Sequence, residues 1–191
     1  MKAHYLAFAA LAVPLLAPPA PALNPRLIAP GVGIGHIHLG EDADRATRSL
    51  GPQQDGDGAM GHFWGTWYSR DKDKRRTELD VYSVRVGDGS RTLVEQVRVT
   101  SPYFRTAEGV GTVSTLAQIR RAFPALRAVS LHAPSGERSR TVMYDDRMRG
   151  IAFEFARSSR HVTSDVRCMA VLVHPRGKSA TDEYSAWPYN Y

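Results

Sequence analysis

Cysteine is almost missing from this chain: of 191 residues, only Cys168 carries a thiol. No intrachain disulfide can form. No cysteine sits near the amino-terminal apolar run to carry the lipid of a bacterial lipoprotein. An oxidising compartment permits disulfides without requiring them, so the shortage does not argue against export. Long apolar runs are scarce as well. Tyr5 to Leu16 is nearly all apolar, but a helix that crosses a bilayer needs about 20 such residues. The run follows a short basic start, Met1-Lys2-Ala3-His4, and precedes the small, Pro-rich stretch Ala17 to Ala22. This three-part pattern is that of a secretory signal peptide. Residues 1–22 are expected to be a leader, cleaved after Ala20 or Ala22, and the remainder a secreted or periplasmic protein with no transmembrane segment.

Lysine is sparse beside arginine, and the formal net charge is +6. The basic residues are scattered, with Arg75-Arg76 and Arg120-Arg121 as the doublets. No continuous basic stripe is present, which speaks against nucleic acid as a partner. Weak attraction to anionic envelope surfaces is compatible with this charge.

Sequence signatures of catalysis and cofactor binding are also lacking. There is no phosphate-loop lysine motif, no Gly-x-Ser-x-Gly elbow and no His-Glu-x-x-His. A triad assembled in space would escape such a search. Gly31-x-Gly33-x-Gly35 is not a dinucleotide fingerprint, because His36 stands where the third glycine is needed. Asp55-Gly56-Asp57-Gly58 fails as a calcium loop, because Gln53 and Trp64 fall at the two end positions. No cofactor is expected. Cys168 lies in the apolar run Val166 to Val173 and reads as a buried, inert thiol.

What is present is a faint internal echo. His36 to Leu50 can be laid without gaps on Gly109 to Phe123. Each copy reads as an apolar entry, a polar cap and a short amphipathic helix, followed by strand-like runs. Asp42 caps the first helix, with Ala43, Ala46 and Leu50 on one face and Gly51-Pro52 as its stop. Thr115-Leu116-Ala117-Gln118 is a capping box for the second, with Leu116, Ile119 and Phe123 on one face. The spacing predicts a short strand over 34–39, a polar loop over 53–61, and strands over 63–69, 77–86, 92–101, 127–132, 139–144, 150–156 and 165–174. Short turns between consecutive strands favour antiparallel pairing. The expected fold class is α+β: two related units, 23–106 and 107–180, each a short helix packed on a three- to four-stranded antiparallel sheet. Residues 181–191 form a C-terminal tail, frayed or pinned by Trp187 and Tyr189.

The segment Gly33-Ile34-Gly35-His36-Ile37-His38-Leu39-Gly40 with Leu50-Gly51, and more loosely Gly109-Val110-Gly111 with Thr115 to Phe123, resembles repeats of small exported bacterial proteins. The β-lactamase inhibitor protein carries such helix-then-sheet units in tandem; the small outer-membrane assembly lipoproteins carry one. The chain departs from both patterns. It lacks the lipoprotein cysteine and the paired disulfides that resemblance to the inhibitor would imply. The resemblance implies binding of another protein rather than turnover of a substrate.

Two constellations stand out. Trp64 and Tyr68 share one face of a strand by alternation, and Tyr103-Phe104-Arg105 lies between the expected units. Aromatics with arginine are the residues that dominate protein interfaces, so these five are the candidate partner-binding set. His36 and His38, two apart on an expected strand, are the alternative: a metal pair completed by Glu41 or Asp42. Isolated His62, His132, His161 and His174 offer no motif spacing to complete it.

Three functions follow. The first is a non-catalytic binding module for an envelope or secreted protein. The second is a metal-dependent hydrolase using His36 and His38. The third is a structural envelope protein. An exposed aromatic and arginine patch favours the first; three ionisable groups gathered at His36 and His38 favour the second.

Overall fold

Where apolar residues alternate or run together, the chain forms strands. The computed structural model describes residues 24–129, 141–156 and 163–180. The expected leader, the expected tail with Trp187 and Tyr189, and His132 and His161 lie outside the described residues. In chain order, β1 (Leu27–Ala29), β2 (Gly33–Ile34) and β3 (Ile37–His38) precede helix α1 (Ala43–Thr47), which runs into a 3-10 turn at Arg48–Leu50. Then come β4 (Asp55–Ala59), β5 (His62–Arg70), β6 (Arg76–Val86), β7 (Arg91–Val99) and β8 (Arg105–Thr106). Helix α2 (Leu116–Ala122) leads to β9 (Arg127–Val129), β10 (Thr141–Asp146), β11 (Ile151–Ala156) and β12 (Cys168–Val173).

The fold class differs from the sequence expectation. The protein is mainly β, not α+β in two units. One sheet of eight strands, in the order β4-β5-β6-β7-β12-β11-β10-β9, is antiparallel throughout. The cause is the pairing of β7 with β12, Val99 opposite Val171 and Val97 opposite Val173. It joins what would have been two separate sheets. The helices, of 5 and 7 residues, are too short to roof a sheet apiece. Helix signals were nonetheless sound locally. The Asp42 carboxylate accepts from Arg45 N–H at 3.1 Å. Thr115 and Gln118 bond reciprocally as a capping box, at 3.2 and 2.8 Å.

A second sheet, in the order β3-β2-β1-β8, contains a parallel pair, β1 with β8. The expected strand over 34–39 is instead a hairpin. Ile34 pairs with Ile37, and Gly35 takes φ +60° in the turn between them. The expected loop over 53–61 contains β4, an edge strand of Asp55-Gly56-Asp57-Gly58-Ala59. Asp55 and Asp57 each accept from the N–H of the glycine that follows, at 2.8 and 2.7 Å. These carboxylates occupy two edge donors and place negative charge along the rim, which discourages edge-to-edge pairing. The two sheets meet at Gly150. Its carbonyl accepts from Gly31 N–H at 3.0 Å and from His174 N–H at 3.2 Å. A β-carbon at Gly150 would fall 2.3 Å from the His174 carbonyl oxygen, and φ is +73°, so only glycine fits.

Both faces of the eight-stranded sheet are buried near its centre. On one face Val81, Val97, Phe153 and Val171 join Leu116, Ile119 and Phe123 of the α2 region in the main core. On the other, Tyr82, Met143, Ala152 and Leu172 form a smaller cluster. β11 and β12 therefore read as nearly continuous apolar runs rather than alternating ones.

Candidate functional site

A cleft of about 920 Å³ opens at the tip of the β5–β6 hairpin. Three stretches of chain build it: the end of β5 with the hairpin turn, the start of β6, and the segment 101–105 that leads into β8. Leu50, Gln54 and Val113 complete the lining. Its floor is apolar. Leu50, Trp67, Leu79 and Phe104 line it and rest against the main core. The Trp67 indole N–H donates to the Gly51 carbonyl at 3.0 Å, which fixes the ring where the 3-10 turn ends.

The mouth is aromatic and cationic. Tyr103 is 48% exposed and meets Phe104 edge-on, with ring centroids 5.2 Å apart. The Arg26 guanidinium lies over the Tyr103 ring at 4.7 Å, and that of Arg76 over Tyr68 at 4.6 Å. The Tyr68 hydroxyl donates to Asp55 at 3.1 Å. Asp71 organises the turn. Its carboxylate accepts from Asp73 N–H, Arg75 N–H and Arg75 Nε, at 2.9, 2.9 and 3.0 Å. Burial opposes its charge, but these donors outweigh burial and hold the carboxyl below its usual range. Val113 at the rim has φ +65°, a strained value for a β-branched residue. Its N–H is held by the Cys168 carbonyl at 2.8 Å, and its own carbonyl accepts from Arg167 at 2.9 Å.

Of the candidate partner-binding residues, Tyr68, Tyr103, Phe104 and Arg105 line this cleft together. Arg105 is anchored within it, with Nη1 donating to the Thr112 carbonyl at 2.6 Å. Trp64 lies elsewhere, packed against the smaller cluster with Tyr82. Trp67, Leu79 and the charged turn were not singled out from the sequence. Alternation sets Trp67 on the face opposite Trp64 and Tyr68, and only folding shows that this face packs on the main core and stays open at this end.

The histidine pair lacks the expected geometry. His36 is exposed in the hairpin turn, and His38 follows in β3, so the two do not share a face of one strand. His38 Nδ1 lies 3.7 Å from Glu41. Among the described residues, no three His, Cys, Asp or Glu side chains gather as a metal site.

Comparison with family models, curated proteins and solved structures returns no match. The assignment of function therefore rests on the geometry.

Two other polar groupings are buried in the sheet. Arg98 of β7 bonds Asp80 of β6 at 2.7 Å and Glu154 of β11 at 2.8 and 3.1 Å. Asp80 also accepts from Thr66 at 2.7 Å. Burial pushes the Asp80 carboxyl above its usual value, although Arg98 and Thr66 pull it down. His174, fully buried, bonds Asp145 through Nε2 at 3.0 Å and the Pro175 carbonyl through Nδ1 at 3.1 Å. Ser179 and Ala180 N–H contact the second oxygen of Asp145 at 3.4 and 3.0 Å. The serine reaches the aspartate rather than the imidazole, so this is not a nucleophile–base pair. Cys168 is buried with its thiol on the Ala170 carbonyl at 3.1 Å, and burial raises it far above the ordinary thiol range.

Proposed function

We propose that this protein is a non-catalytic binding module, exported across the inner membrane, that engages another envelope or secreted protein through the hairpin-tip cleft. The observation that carries this reading is the convergence of Tyr68, Tyr103, Phe104 and Arg105, with Trp67, on one open cavity. Aromatics around a desolvated floor, with arginines at the margin, are what binding hot spots are made of. Their rigid rings lose little conformational entropy on docking. The metal-dependent hydrolase reading has no support in the geometry at His36 and His38: among the described residues, no three His, Cys, Asp or Glu side chains gather as a metal site. Residues 1–22 serve as the leader, so the exported chain should start at Pro21 or Leu23 by intact-mass measurement.

The test is affinity capture from the envelope and secreted fractions of the producing cell, with the leaderless chain and its Tyr103→Ala variant as baits. The reading expects a protein retained by the native bait and lost by about tenfold with Tyr103→Ala, at unchanged thermal stability. Equal retention by both baits, or no retained protein, contradicts it.

A further inference from the structure

Resting on that reading, we infer that the cleft selects an acidic segment of its partner: an apolar side chain flanked by carboxylates. The argument is one of charge complementarity. The cleft is lined by four cations, Arg70, Lys72, Arg75 and Arg105, and three carboxylates, Asp71, Asp73 and Glu78. All three carboxylates are already engaged by arginine. Asp71 and Asp73 share Arg75, at 3.0 and 3.1 Å. Glu78 sits 3.2 Å from Arg76 and 3.5 Å from Arg98.

Three of the four cations are not matched in return. Arg70 donates to the Lys74 carbonyl at 3.0 Å, and Arg105 to the Thr112 carbonyl and, at 3.5 Å, the Ser114 hydroxyl. Neither they nor Lys72 has a carboxylate within 4.0 Å among the described residues. Lys72 is exposed on a turn that Asp71 braces from inside, so its charge is held at the mouth. The aromatic mouth adds Arg26 and Arg76 over its rings. An incoming carboxylate gains Arg70, Lys72, Arg105 and Arg26 without displacing an existing pair, whereas Arg76 is already held by Glu78. An incoming lysine must compete with Arg75 for Asp71 and Asp73. Between them, the apolar floor of Leu50, Trp67, Leu79 and Phe104 receives the apolar side chain. The charge steers encounter and fixes orientation; the floor supplies the burial.

Three labelled octapeptides test this, followed by fluorescence anisotropy on the native chain. They share a Leu-Phe centre and carry glutamate, glutamine or lysine at the flanking positions. The glutamate peptide should bind about tenfold tighter than the glutamine one, and the lysine peptide weakest. The preference should shrink on raising salt to about 0.5 M, where charge is screened within a few ångströms. An Arg70→Glu, Lys72→Glu double variant should reverse the order of the glutamate and lysine peptides. Equal affinity for all three peptides overturns the acidic preference while leaving the cleft as a docking site. Failure of every peptide to bind by about 1 mM overturns it as well. Tyr103-dependent capture, measured separately, then decides whether the cleft reading survives.

Discussion

The middle of the large sheet and its β4 edge are built differently. In β11 and β12 nearly every residue is buried, and apolar side chains fill both faces. At the far end, β4 is exposed along most of its length, and β5 turns from buried to exposed as it approaches the hairpin tip. The β11–β12 region is filled by the core on both faces. The β5–β6 tip has an apolar floor that folding leaves uncovered, bordered by charges held in place by a single carboxylate. The contrast separates the residues that hold the fold from those that the proposed function assigns to binding, and each of the following variants tests that separation.

The largest effect is expected at Phe153, which is fully buried in β11 against Phe123, 5.3 Å away between ring centroids. Phe153→Ala should cost about 3–5 kcal/mol in denaturant unfolding, through lost transfer energy and the cavity it leaves. A cost below about 1 kcal/mol would mean that this region is not the scaffold.

Arg98→Leu comes next, at about 3 kcal/mol near neutral pH, because it takes the guanidinium away from the buried Asp80 and Glu154 carboxylates. The pH dependence has a defined sign. A carboxyl whose folded value is raised contributes stability that is complete below its unfolded value and is lost as pH rises through the folded one. Removing Arg98 raises Asp80 further. The deficit of the variant should therefore be smallest in acid and grow toward neutrality. A pH-independent deficit would contradict this.

At the cleft the sign of the effect reverses. Val113→Gly removes a β-branched side chain from φ +65° and should stabilise the chain by about 0.5–1 kcal/mol while weakening partner capture. On the proposed reading, the strain at this rim is kept for docking and not for the fold. A destabilised variant with full capture would show that the strain serves the fold.

The smallest effect is expected at Glu108, which bonds Arg149 on the surface. Burial works against the Glu108 charge, but the Arg149 bond prevails and its carboxyl lies below the usual value. That contribution is present above the unfolded value and lost as pH falls through the folded one, the opposite direction to Asp80. Glu108→Gln should cost no more than about 1 kcal/mol at pH 7 and converge with the native chain in acid.

The sequence made the local elements legible and hid how they assemble. Asp42, Thr115 and Gln118 announced both helix starts, because capping is a contact between near neighbours. The strands from β5 to β7 and from β10 to β12 stood out by their β-branched and aromatic residues. The fold class did not, because it turns on β7 pairing with β12 across about 70 residues, and no local pattern records that contact. β4 was hidden by its Asp-Gly composition, which signals a loop until an edge strand needs its donors occupied. Half of the candidate site was readable. Tyr68 and Tyr103-Phe104-Arg105 were chosen on residue type and do converge. Trp64 was chosen on the same ground and packs elsewhere, because parity along a strand does not say which end of a face is left open. The acceptor role of Asp71, and the cations it leaves over, depend on turn geometry that composition does not encode.

Native-state hydrogen exchange, resolved by residue, tests the separation of scaffold from binding end most directly. The amides of Phe153 and of Val171 to Val173 should exchange only through global unfolding, with protection equal to the full stability of the chain. Those of Asp73 and Arg75, held by the exposed hairpin turn, should exchange by local opening, orders of magnitude faster. Equal protection in the two regions, or faster exchange in β12 than at the hairpin tip, would contradict the account.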